Sequence, residues 1–163
     1  MATDFITAEA FAPLILISGT LFSVFWSLDA ATHARLVKVD ITDRELTTHR
    51  IVLATSLVMV VSIGCMYWWP VAMLPVFIGS FITRTAHEFI DELHFHVDRC
   101  SPTESLFHLI MWLSMLTNTA AMFMWGFFRQ FEGVETLPVV YYIWAGILAI
   151  VIGVVSTKEW NRH

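Results

Sequence analysis

Charge is what this sequence has least of. Only 14% of its 163 residues are Asp, Glu, Lys or Arg, where a soluble domain carries roughly a quarter. Apolar residues, 57% of the chain, make up the difference in long runs that leave no room for a separate soluble domain, so residues 1–163 read as a single transmembrane helical domain. Bases are scarcer than acids, nine against 14, for a formal net charge of −5. That excludes nucleic acid as a partner, because a basic surface is needed to displace its counterions. Cysteine is nearly absent: Cys65 and Cys100 form no CxxC or Cys/His zinc spacing. On the topology below they fall at opposite membrane faces, too far apart to bridge. The first ten residues hold Asp4 and Glu9 and no Lys or Arg, so a mature, uncleaved end is expected there.

Five apolar runs remain: Phe11 to Leu28 (continuing as helix through Asp29 and His33), His49 to Trp69, Val71 to Ile90, Leu106 to Phe128 and Leu137 to Val155. Each approaches the roughly 20 residues that a helix needs to span a bilayer. The third is the weakest, because Arg84, His87 and Glu88 interrupt its last third. Short connectors carry the punctuation of helix ends. Pro70 suits a first helical turn, Thr42 with Glu45 reads as a capped start, and Ser101 or Thr103 can cap the fourth helix. With the N-terminus outside, Arg35, Lys38, Arg44, Arg50, Arg84, Arg99, Lys158 and Arg162 all fall inside and Arg129 alone outside, as the positive-inside rule requires. Tyr67, Trp68, Trp69, Trp125, Tyr141 and Tyr142 then form an outer aromatic belt, with Trp160 at the inner interface. The expected fold is an all-α integral membrane protein of five transmembrane helices, N-out and C-in. Four of them form a bundle with a polar cluster at its cytoplasmic end, and the setting is a bacterial inner membrane.

Six of the seven histidines belong to that inner end. Asp29 precedes His33 by four residues, Glu45 precedes His49, Glu104 precedes His108, and His87 precedes Asp91 in the reverse order. Residues four apart share a helical face, so each of four helices can present one imidazole and one carboxylate at one membrane level. Glu88 and His94 lie beside the third pair; His94, seven residues from His87, shares its face, whereas His96 does not and stands as a control. A single pair is an ordinary polar helix end, and acids in a first turn also answer the helix dipole, which accounts for Glu45 and Glu104 without a metal. Four pairs on consecutive helices point to a divalent metal held by Asp29, His33, Glu45, His49, His87, Glu88, Asp91, His94, Glu104 and His108, the carboxylates either binding the ion or fixing the imidazoles. Iron is the foremost ion, with zinc, copper and manganese also suited to this donor set.

Arg84 lies within the hydrocarbon of the inner leaflet, where it either snorkels to the phosphates or pairs with Glu88 or Asp29 inside the bundle. Asn118 reads as a helix–helix hydrogen bond, and Met111, Met115 and Met122 as a packing stripe. One heptad deeper than the histidines, Trp26, Ser56, Ser80 and Met115 suggest a mixed chamber for a lipid tail, a quinone or O2. The leading function is therefore a membrane metalloprotein with a dimetal centre, an oxidoreductase acting on a lipophilic substrate. The layout is similar to that of membrane fatty-acid desaturases and hydroxylases, which also collect histidines at cytoplasmic helix ends; their HxxxH and HxxHH boxes are absent here. The alternatives are a divalent-cation or proton transporter, a haem b electron carrier, and an accessory subunit of a larger membrane complex. Besides the lipid bilayer, a homo-oligomer or such a complex is the partner to expect.

Overall fold

The computed structural model describes residues 8–40, 42–97 and 101–161, with only the backbone of residues 8–9 and 32–40. Five helices follow one another with no strand among the described residues: α1 Ala8–Asp40, α2 Asp43–Cys65, α3 Pro70–Asp91, α4 Pro102–Phe123 and α5 Val139–Trp160. α3 runs on into a π turn, Glu92–His96, and α4 into a second, Met124–Phe128. The side chains of His33, Arg35 and Lys38, and the residues Arg99, Cys100, Arg162 and His163, lie outside the described residues.

The expected stops and starts form for local reasons. Thr42 caps α2, its hydroxyl accepting from the Glu45 N–H at 3.3 Å. Ser101 and Glu104 make a reciprocal capping box at the head of α4: Ser101 Oγ accepts from the Glu104 N–H at 3.3 Å, and Glu104 Oε2 accepts from the Ser101 N–H at 2.7 Å. Two donors that a helix start leaves without an intrahelical acceptor are thereby satisfied. Pro70 occupies the first turn of α3, where its missing N–H costs nothing. Between α4 and α5 the chain turns through Gln130, Phe131 and Gly133, all at positive φ.

Among the described residues, four helical segments are long and apolar enough to cross a membrane: Ala10–Ala31, Asp43–Cys65, Pro102–Phe128 and Val139–Trp160. α3 is not among them, because Arg84, His87, Glu88 and Asp91 crowd its C-terminal half. Large apolar side chains face outward all along the assembly, among them Ile17, Leu57, Val61, Ile82, Leu113, Ile147 and Ile150. Such a surface matches lipid and would be a liability in water.

α2 packs most extensively against α3 and α1 against α4, with α5 against α1 and α2. Lipid tails are as apolar as the side chains, so helix association relies on close packing and interhelical hydrogen bonds. Asn118 of α4 donates to the Ile15 carbonyl at 2.7 Å and to Ser18 Oγ at 3.2 Å on α1. Trp144 of α5 donates to Thr20 at 2.9 Å. Gly19 permits the first of these contacts, since a Cβ there would come within 3.3 Å of Asn118 Nδ2. One end of the assembly is packed by Met59, Ile63, Met66 and Phe77 and by Phe11, Ala121 and Trp125. The other end is polar.

Candidate metal centre

At the polar end, the first turn of α2, the end of α3 with its π turn, the first turns of α4 and the middle of α1 meet. Glu45 and His49 lie one turn apart on α2, and both belong to a group completed by Asp91 and His96: each of the four offers a ligand atom, and these atoms lie within 4.8 Å of one another. Glu45 is 1% exposed and His96 3%. His49 Nε2 lies 3.1 Å from both oxygens of Asp91. His96 Nδ1 lies 3.1 Å from the Asp91 carbonyl oxygen and 3.6 Å from Asp91 Oδ2. The His49 and His96 rings are nearly parallel, 6.3 Å apart.

A second group, Glu92, His96 and His108, shares His96 with the first. His108 is held from both sides: Nδ1 lies 2.7 Å from Glu92 Oε2, and Nε2 lies 3.1 Å from Asp29 Oδ1 on α1. The His96 and His108 rings meet edge to face at 4.9 Å. A continuous line of acids and imidazoles thus joins Asp29 through His108, His96 and Asp91 to His49 and Glu45. Such His/carboxylate groups can hold a metal ion.

The π turn is what brings His96 in. It lies at the fifth position after Asp91, which on an α-helix is a rotation of about 140° from the same face. A π turn bonds i to i+5 and absorbs one extra residue, so His96 returns over Asp91 while His94 is exposed beside Phe95. The face expected from α periodicity, with His94 inward and His96 outward, is therefore reversed. Glu92 and His96 are the two residues that sequence reasoning passed over. Their signal, an acid pair followed by His-x-His, carries no information about where a π turn falls.

Of the expected residues, Glu45, His49 and Asp91 come together, and His108 and Asp29 join them through the second group. The pairing runs between helices: His108 meets Asp29 and Glu92, and Asp91 meets His49. His87 stands apart, its Nδ1 2.9 Å from the Thr83 carbonyl of its own helix. Glu104 closes the capping box. Glu88 is engaged deeper in the bundle, where Arg84 grips it with two nitrogens at 2.7 and 2.9 Å and Trp112 Nε1 donates to it at 3.2 Å.

Arg84 is 3% exposed and turned inward, so of the two alternatives open to it the structure has the bundle pair and not the snorkel. Its Nε donates to Ser56 Oγ on α2 at 2.8 Å, and its Nη1 reaches Met115 Sδ on α4 at 3.2 Å. The guanidinium thereby ties three helices together just beneath the His/carboxylate groups. No family model, no curated protein and no solved structure matches this chain.

Proposed function

We propose that the chain is an integral membrane metalloprotein of five spans, N-out and C-in, acting as an oxidoreductase on a lipophilic substrate at the inner leaflet. The observation that carries this reading is the convergence of Glu45, His49, Asp91 and His96, from two helices, with ligand atoms within 4.8 Å of one another. Two imidazoles and two carboxylates form a borderline donor set that suits iron, manganese or zinc better than copper(I), which favours thiolates and thioethers. Around the centre these residues would bind the ion, while Asp29 orients His108 and the pairing with Arg84 keeps the Glu88 carboxylate out of reach of it. The metal would supply the electron transfer, and the apolar outer surface of the helices matches a substrate that arrives from the lipid.

Metal analysis and spectroscopy of the detergent-purified full chain test the reading. At least one iron or manganese ion per chain is expected, with occupancy lowered in His49→Ala and Asp91→Asn and retained in His94→Ala. A chain that binds only zinc would remove the redox part. A chain that takes up no transition metal even after loading would overturn the metalloprotein reading as a whole.

A further inference from the structure

We infer that the centre holds two ions and that His96 is the ligand they share; this rests on the metal reading above. His96 belongs to both donor groups, with Glu45, His49 and Asp91 on one side and with Glu92 and His108 on the other. An imidazole carries two nitrogens on different edges of its ring, and each lone pair serves one ion. Nδ1 is turned to Asp91, 3.1 Å from its carbonyl and 3.6 Å from its carboxylate. The ring is 3% exposed, so both of its edges face protein.

The second group has a support of its own. His108 presents Nδ1 to Glu92 while Asp29 holds Nε2 at 3.1 Å, the arrangement by which a carboxylate fixes the tautomer and orientation of a metal-binding imidazole. Glu92 and His108 are then ligands of the second ion, and Asp29 is the residue that positions His108. Bridging uses both nitrogens of His96, so its remaining ring proton leaves to water as the second ion binds. Nothing is oxidised or reduced in that step.

The test is ion counting on the full-length protein in detergent, stripped of metal and reloaded with Co2+ alone, with magnetic coupling between the ions read by electron paramagnetic resonance. Wild type is expected to load two coupled ions per chain. Glu92→Gln and His108→Ala should each load one uncoupled ion, and His96→Ala less than one. If wild type loads a single ion that Glu92→Gln and His108→Ala both keep, the shared ligand is overturned while the metal reading stands. If wild type loads none, the metal reading fails first. Should a variant lose its helical circular dichroism, the wild-type measurement alone decides, because two uncoupled ions would also overturn the bridge.

Discussion

Arg84 and Glu88 sit one turn apart on α3 with their charges facing each other at 2.7 Å and the arginine almost wholly buried. Truncating one member of a buried pair leaves the other charged and uncompensated, a loss of about 3–5 kcal/mol, whereas replacing both by apolar groups is often tolerated. Arg84→Ala is therefore expected to destabilise the chain by about 3–5 kcal/mol in denaturant unfolding. Arg84→Lys should fall short of rescue, since a point charge cannot reach Glu88, Ser56 and Met115 with one rigid fork. The double change Arg84→Met with Glu88→Leu should cost less than Arg84→Ala alone. Equal stability of Arg84→Ala and wild type would mean that the guanidinium is dispensable to the bundle. The sequence offered Glu88 or Asp29 as the partner but could not choose between pairing and snorkelling, because both place the same residue at the same depth.

At the scale of the element, the π turn after α3 accounts for the composition of the centre. A π turn amounts to one residue inserted into an α-helix, and such turns are frequent at functional sites. Removing the extra residue should restore α geometry and leave His96 four residues from Asp91, still on its face. Deletion of Leu93 is thus expected to retain bound metal, while insertion of one Ala after Leu93 should carry His96 away and abolish it. Metal content per chain at matched membrane expression makes the comparison. If the deletion empties the centre as thoroughly as the insertion, the turn does not set the position of His96. Glu104 shows the opposite relation between sequence and structure. A helix start capped by Ser101 or Thr103 is expected there, and Ser101 makes it, with Glu104 closing a capping box.

For the whole molecule the property to measure is topology. α3 lies alongside α2 from the Met59, Ile63, Met66 and Phe77 packing at one end to the His49–Asp91 contact at the other. On the proposed five-span topology it is the span that completes the five, with Arg84 satisfied internally by Glu88 and Ser56. Five spans place the two chain ends on opposite sides. A reporter fused after residue 163 is expected to be cytoplasmic, and one inserted near Gln130 external. An external C-terminal reporter would overturn the five-span, N-out and C-in topology.

The sequence by itself determined the helical class, the boundaries set by Thr42, by Pro70 and by Ser101 or Thr103, and the gathering of acids and histidines toward one end. These follow from local rules: apolar run length, capping chemistry and the alternation of chain direction. It also marked Asn118 as a helix–helix hydrogen bond, because a lone amide in an apolar helix has few other partners. Tertiary structure alone decided which carboxylate meets which imidazole. An i, i+4 spacing places two side chains on one face without saying whether they turn to each other, and here His87 bonds its own backbone while Asp91 and His108 reach across to neighbouring helices. It also decided that His96, and not His94, is buried. One additional residue per turn rotates everything beyond it, and a periodicity that assumes 3.6 residues cannot register that rotation.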